Sequence, residues 1–336
     1  MVLRVLENFA GIGTQRMALE NLGITHEVVG ITEIDKFAIK SYEAIHEGVN
    51  NLGDISLVDP NNVPDHDLFT YSFPCQDISV AGKGKGFEKG AGTRSGLLWE
   101  CEKVIRAKKP KYLLMENVKN LVSKKFKPGF EEWLSALEEL GYTNYWQVLN
   151  AKDYGVPQNR ERVFCVSILG EHEPYEFPEK ETLELRLKDI LEYEVDEKFY
   201  LDEDKVSRLT LNWGKVLANK DLQVVGNTTV QKDNYVVEPK DESLIIDDTM
   251  GFEKEARVYT DYSPSLRASR SGLKTIEGSQ LRIRKLTPKE CWRLMGISDE
   301  DFEKAQEVNS NTQLYKQAGN AIVVDVLEAI FTNMFK

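Results

Sequence analysis

The 336-residue sequence holds only four cysteines, Cys75, Cys101, Cys165 and Cys291, and only four histidines. No two cysteines have CxxC spacing, so neither a zinc site nor a disulfide framework is expected, and no metal is assigned. No apolar run approaches the roughly 18 residues that span a bilayer. The start, MVLRVLENFAGIG, runs directly into a strand and a glycine turn and lacks the form of a signal peptide. These absences lead us to expect a cytoplasmic protein with reduced thiols and no membrane association. Positive charge is also short, with a net of −12. That argues only weakly against a nucleic-acid partner, because phosphate binding is a local demand. Over residues 70–130, thirteen Lys/Arg stand against five Asp/Glu, and over 267–293 eight stand against two. Over 171–204 the balance reverses, with fourteen Asp/Glu and four Lys/Arg. Each run reads either as solvated surface or as a local charge footprint.

What is present points to an α/β protein. Strand patterns at 3–9, 26–33, 67–72 and 111–117 alternate with helix patterns at 14–23, 35–47, 96–109 and 130–141. Closing strands are expected in YWQVLN and RVFCVSI. This order predicts a parallel sheet covered by helices. Beyond about residue 170 the chain turns acidic, and 205–280 shows only short strand-like pieces such as LQVVGNTTV and NYVVEP, a small β-rich domain. Helix signals return at LTPKECWRLMG, with Thr287 as N-cap and Pro288 at the first helical position. The stretch LYKQAGNAIVVDVLEAIFTNMF predicts one long apolar helix packing back on the first sheet. The expected organisation is an α/β domain at 1–175, a small β-rich domain at 180–280 and a return segment at 281–336.

Three local patterns carry chemistry. ENFAGIGTQRMA is a strand, a glycine turn and a helix start, where backbone N–H groups meet a ligand. Glu33 ends the next strand, where an acid binds ribose hydroxyls. The turn lacks the full GxGxxG, so a dinucleotide dehydrogenase fits poorly. In SFPCQ, Cys75 follows one strand, and in MEN, Glu116 follows another. Strand ends of a parallel sheet share one edge, so a thiolate nucleophile and a carboxyl acid can face one substrate there. The bland alternatives, a buried small hydrophobe and a surface ion pair, stay open on these residues alone.

In order, ENFAGIG, SFPCQDIS, MENVKNL, NAKDYGVPQNRERVF, RIRKLTPKECWRLMG and QLYKQAGNAIVVDVL resemble the motifs of bacterial and phage DNA (cytosine-5)-methyltransferases. The match covers about 3–168 and 281–331, and the gap resembles the family's variable target-recognition domain. The resemblance implies a Rossmann-like methyltransferase sheet using S-adenosylmethionine and releasing S-adenosylhomocysteine. It implies a cytosine flipped out of double-stranded DNA and a covalent bond between Cys75 and cytosine C6. Glu116, Arg160 and Arg162 are then expected in the chemistry. Phe9, Gly11, Gly13, Glu33, Ile34, Asp54, Ile55, Pro74, Leu97 and Asn320 are expected around the cofactor. Phe73, Gln76, Ser79, Asn117 and Gln158 are expected at the substrate.

Arg160 and Arg162, two apart on a strand-like segment, are expected to face the site, and the resemblance implies Arg162 at the base or Glu116 and Arg160 at the backbone or the thiol region. The glycine-rich loop at 81–96 is expected to close over DNA. Thr14 stands where the family usually has glycine, Glu7 where it has aspartate, and Ile34 where a bulkier aromatic is common. Arg267 and Arg270 are read either as base readers or as phosphate contacts. A monomer is expected, with a cognate restriction endonuclease, where one exists, acting independently. A tRNA-methylating relative and a catalytically silent DNA-binding relative are the alternatives. The intact PCQ, the sizeable variable region and the presence of both Cys75 and Glu116 weigh against them.

Overall fold

The computed structural model describes residues 2–78, 86–87, 89, 93–201 and 284–336 fully, and five further strand segments within 235–283 by their backbone. Ser79, Arg267, Arg270, most of the loop 81–96 and the piece LQVVGNTTV lie outside the described residues. In chain order the elements are β1 (Leu3–Asn8), α1 (Thr14–Asn21), β2 (His26–Thr32), α2 (Lys36–Ile45), β3 (Leu68–Tyr71), α3 (Leu98–Lys108), β4 (Tyr112–Val118), α4 (Lys127–Glu138), β5 (Tyr142–Asn150), β6 (Gln158–Asn159), β7 (Glu161–Leu169), β8 (Tyr235–Val237), β9 (Leu244–Asp247), β10 (Arg257–Tyr259), β11 (Ser263–Pro264), β12 (Ile283–Arg284), α5 (Pro288–Arg293), α6 (Asp299–Val308), α7 (Asn311–Asn320) and α8 (Val324–Phe335).

The chain divides into two compact units. One comprises Met1–Asn150, Glu161–Lys180 and Val324–Lys336, the other Ala151–Arg160 and Glu181–Val323. These limits depart from the sequence-based ones in two places. Residues 151–160 leave the first unit, and only 324–336 of the return segment joins it.

The first unit is built on a six-stranded sheet in the order β2-β1-β3-β4-β7-β5. Strands β1 to β4 run parallel, as their separation by helices requires. Strand β7 lies antiparallel between β4 and β5, so the sheet is mixed rather than purely parallel. All four residues of β3 and the last four of β1 are buried, as expected where helices cover both faces. Phe130, Trp133 and Leu137 lie one to two turns apart on α4 and are completely buried. Each contributes about 1.5–3 kcal/mol of burial. Trp133 stands edge-on to Trp99 at 5.5 Å and donates its indole N–H to the Tyr71 hydroxyl at 3.2 Å. Helix α8 packs on α1, and Asn21 donates to Glu328 at 2.6 Å.

The expected long C-terminal helix is instead two helices, α7 and α8, interrupted at residues 321–323. Contrary to the expectation from the sequence, the stretch Asn311–Phe335 is apolar enough by length and composition to cross a membrane, but half of its most apolar 18-residue window is buried inside the protein. The break coincides with a contact from a distant part of the chain. Arg160 donates through Nη2 to the carbonyls of Gly319 and Ala321 at 3.0 and 2.8 Å. A guanidinium thereby satisfies carbonyls that a continuing helix would pair with its next turn.

In the second unit, β8, β9, β10 and β12 form an antiparallel sheet in the order β10-β9-β8-β12, and β11 pairs with β6. The expected strand in NYVVEP is β8. Helix α5 starts in a capping box: Thr287 accepts from the Glu290 N–H, and the Glu290 carboxylate accepts from the Thr287 N–H. The same carboxylate forms a buried two-pronged pair with Arg284 at 2.8 and 2.9 Å.

Candidate active site

Cys75 lies four residues beyond the last residue of β3, in a turn tied down from three sides. Ser95 donates its hydroxyl to the Pro74 carbonyl at 2.5 Å and accepts from the Asp77 N–H at 3.3 Å. The Asp77 carboxylate accepts from the Arg94 and Ser95 N–H groups at 3.0 and 3.4 Å, just before α3. Asn117, on β4, donates to the Phe73 carbonyl at 2.9 Å, and Asn120 donates to the Ile78 carbonyl at 2.5 Å. Inside the turn the Ile78 N–H closes onto the Cys75 carbonyl at 3.0 Å. Asn117 belongs to β4, Asn120 follows that strand, and Arg94 and Ser95 lead into α3, so the strand end and the segments beside it together place the thiol.

The other three cysteines are unfit for the same work. Cys101, Cys165 and Cys291 are buried, whereas Cys75 is partly exposed. Burial pushes the Cys101 thiol up, the Cys165 thiol up to about 12, and the Cys291 thiol well up. The thiolate is the reactive form, so these three are inert near neutrality.

Glu116 lies on β4, beside β3, and is 9% exposed. Its Oε1 sits 3.1 Å from Arg162 Nε. The register explains the pair. Glu116 faces Phe164 and Val118 faces Arg162 across the antiparallel β4–β7 ladder, so Glu116 and Arg162 are diagonal neighbours on one face. Cys75 and Glu116 thus belong to the carboxyl ends of adjacent parallel strands, the edge where α/β sheets hold ligands.

A second group lies at the ends of β1 and β2. Phe9 has φ 54, a conformation bulky residues rarely adopt. It is held by its N–H to the Thr32 hydroxyl at 3.3 Å, and Thr32 in turn donates to Asn8 at 2.7 Å. Gly11 has φ 59, and its N–H donates to Glu33 Oε2 at 2.9 Å. Glu33 Oε1 accepts from the Ile34 and Asp35 N–H groups, both at 2.8 Å. A carboxylate offers about four acceptor positions, so one is left over for a ligand hydroxyl. Ile34 is 69% exposed, a large apolar side chain beside that acid. Asp54 accepts from the Ser56 N–H and hydroxyl at 2.9 and 2.7 Å, and Ile55 is buried behind it. Pro74 and Leu97 are partly exposed, with Leu97 against the main core.

The other expected residues have defined partners or exposure. Arg162 pairs with Glu116, and Arg160 donates to backbone carbonyls. Strand β7 begins at Glu161, so the two arginines do not share a strand, and Arg160 is 3% exposed with its guanidinium on the Gly319 and Ala321 carbonyls. Gln158 is fully buried and donates to the Leu294 carbonyl. Phe73 and Asn117 are buried too, supporting the Cys75 turn from behind. Gln76 is exposed and accepts from Arg94 Nη1. Asn320 ends α7 in the second unit and is exposed.

Asp77, Ser95, Asn120 and Thr32 were not anticipated from the sequence. For Ser95 the helix-start pattern TRSGLL was a usable signal, while Thr32 carries no local mark.

A family model described as C-5 cytosine-specific DNA methylase matches residues 3–336. The chain is 42% identical to the type II methyltransferase M2.ScrFI of Lactococcus lactis subsp. cremoris, over 100% of this chain and 99% of that protein. It is 32% identical to the orphan methyltransferase M.SPRI of Bacillus phage SPR, over 99% and 97% of the two chains. Its fold resembles that of S. pombe Dnmt2 methyltransferase, with a TM-score of 0.69 and 20% identity over 98% and 97% of the chains. The chain therefore belongs to the C-5 cytosine-specific DNA methylase family and is a DNA (cytosine-5-)-methyltransferase.

Proposed function

We propose that this enzyme transfers the methyl group of S-adenosylmethionine to C5 of a cytosine flipped out of double-stranded DNA, through a covalent bond between Cys75 and C6. The observation that carries the reading is the placement of Cys75 and the Glu116–Arg162 pair at the ends of adjacent strands β3 and β4. The β1–β2 edge fits the cofactor. The Gly11 backbone turns in the left-handed region with open space on its Cα side, Glu33 has acceptor capacity for ribose hydroxyls, and the exposed Ile34 offers an apolar face to an adenine ring. Phe9, Asp54, Ile55, Pro74 and Leu97 complete this group. When bound, the cofactor supplies an electrophilic methyl group on a sulfonium.

The thiolate of Cys75 adds to C6, and the C5=C6 electron pair is freed to form the new bond at C5. Glu116 shares a proton with N3 and accepts from the exocyclic amine, stabilising the charge that develops as the bond to C6 forms. Arg162 holds the Glu116 carboxyl in place. A base or water then takes the C5 proton, the S–C6 bond breaks, and the Cys75 thiolate is restored. Extruding the base costs a few kcal/mol, offset by contacts in the site. Phe73, Gln76, Asn117 and Gln158 are the described residues proposed at the base, with Gln76 next to the thiol and exposed.

We infer a monomer acting on DNA in the cytoplasm, and similarity over the whole chain to proteins named both type II and orphan methyltransferases fits transfer that needs no bound endonuclease. Residues 180–280 carry the sequence address, and exchanging them for a relative's segment should move methylation to the relative's site.

The reaction is tested with DNA carrying 5-fluorocytosine, whose C5 fluorine cannot leave as a proton. The wild type should form an adduct that survives denaturing electrophoresis, and Cys75→Ala should form none. An adduct on Cys75→Ala, or normal methyl transfer by Cys75→Ser, overturns the proposal.

A further inference from the structure

We infer that Phe87 and Gly129 form a ring-and-socket contact that positions the Cys75 turn, making both of them positioning residues for the transfer. The inference rests on the reading of Cys75 as nucleophile. Phe87 is 3% exposed although it is flanked by glycine and charged residues in the sequence. Its ring packs 5.9 Å from the ring of Phe73, two residues before Cys75. Its carbonyl accepts the Trp99 indole N–H at 2.8 Å. The preceding Gly86 N–H donates to the Asp77 carbonyl at 3.1 Å, two residues after Cys75. Lys89 reaches Glu102 at 2.6 Å and lies 4.7 Å over the Trp99 ring. The backbone around the ring is thereby held on both sides of it and tied to both sides of the thiol.

The socket floor is Gly129, the third residue of α4. A Cβ built there would lie 3.1 Å from Phe87 Cζ and 3.4 Å from Cε2. Its φ is not positive, so no turn geometry calls for glycine at this position. Alanine in a helix is ordinarily more stable than glycine by roughly 0.5–1 kcal/mol. A glycine retained against that preference, with an aromatic ring at its Cα, marks a close approach. Moving the ring moves Phe73 and Gly86, and with them the two ends of the turn that presents the thiol. Small misplacements of a reacting group cost up to about 100-fold in rate.

The test is Gly129→Ala in the full chain, with thermal unfolding, S-adenosylhomocysteine binding, kcat, and the rate of Cys75 alkylation by iodoacetamide followed by peptide mass mapping. The inference expects Tm and S-adenosylhomocysteine affinity to hold, kcat to fall about tenfold, and alkylation of Cys75 to rise about threefold as its packing loosens. Gly129→Ala/Phe87→Leu, with a shorter side chain in the socket, should regain most of kcat and return alkylation toward the wild-type rate. Unchanged kcat and alkylation in Gly129→Ala overturn the inference while leaving Cys75 as nucleophile intact, since the 5-fluorocytosine adduct reports that separately. Should Gly129→Ala lower Tm by more than a few degrees, Phe87→Leu alone decides. Reduced kcat with faster alkylation supports the socket, and wild-type values for both overturn it.

Discussion

Gly11 and Gly13 sit two residues apart in one turn, and replacing each by alanine should fail in different ways. Both have positive φ, 59 and 81. Left-handed backbone costs an alanine roughly 1–2 kcal/mol at either position. The surroundings then separate them. A Cβ at Gly11 meets nothing within 4 Å. A Cβ at Gly13 would lie 2.6 Å from His46 Nε2 and 2.6 Å from Tyr42 Cε2, both rings buried. Tyr42 cannot swing away without losing its 2.6 Å hydrogen bond to Glu7. Overpacking of this kind adds about 1–3 kcal/mol. Gly13→Ala should therefore lose roughly 2–5 kcal/mol and Gly11→Ala roughly 1–2 kcal/mol in urea unfolding at matched m-value. Cofactor binding should reverse the order. The open side of Gly11 is the side proposed for the ligand, so Gly11→Ala should lose S-adenosylhomocysteine affinity about tenfold or more by calorimetry. Gly13→Ala, measured where it is folded, should lose less. Equal stabilities for the two variants, or a Gly11→Ala that binds cofactor normally, would refute this division.

Other outcomes follow from the same geometry. Glu116→Gln keeps the size of the side chain but changes its protons, and single-turnover transfer should drop roughly 100-fold with DNA affinity little changed; a loss within threefold makes this carboxyl structural. Arg160→Ala strips two backbone carbonyls of a charged donor and should cost roughly 2–5 kcal/mol of stability in thermal or urea unfolding, whereas Arg162→Ala should leave stability nearly intact and lower kcat. Glu7 is buried, and burial raises its carboxyl above the usual range. A raised folded-state value means that its contribution is fully present below the unfolded-state value and is lost as pH rises through the folded one. Glu7→Gln should accordingly flatten the fall in unfolding free energy on going from pH 4.5 toward 8, and an identical pH slope in the variant refutes the assignment.

The sequence by itself determined everything that depends on short stretches of chain. Alternating strand and helix patterns, a cysteine just beyond one apolar run, a glutamate at the end of another and a glycine turn between strand and helix are each written within about ten residues. A parallel sheet then brings such strand ends to one edge whatever their separation along the chain, so Cys75 and Glu116 were legible. The family resemblance named their chemistry. What long-range packing decided was the aim of side chains that look local. Arg160 and Arg162 carry the same sequence signal, yet one braces a helix end about 160 residues away and the other pairs with Glu116. Gln158 and Asn117 are polar residues in a motif-rich region, and both donate to backbone carbonyls that only the tertiary fold brings to them. The two glycines of the first turn read alike, and only the rings of Tyr42 and His46 behind one of them tell them apart. A side chain's partner depends on which unsatisfied backbone group or ring lies within about 3–4 Å, and that is fixed by the docking of remote elements rather than by spacing along the chain.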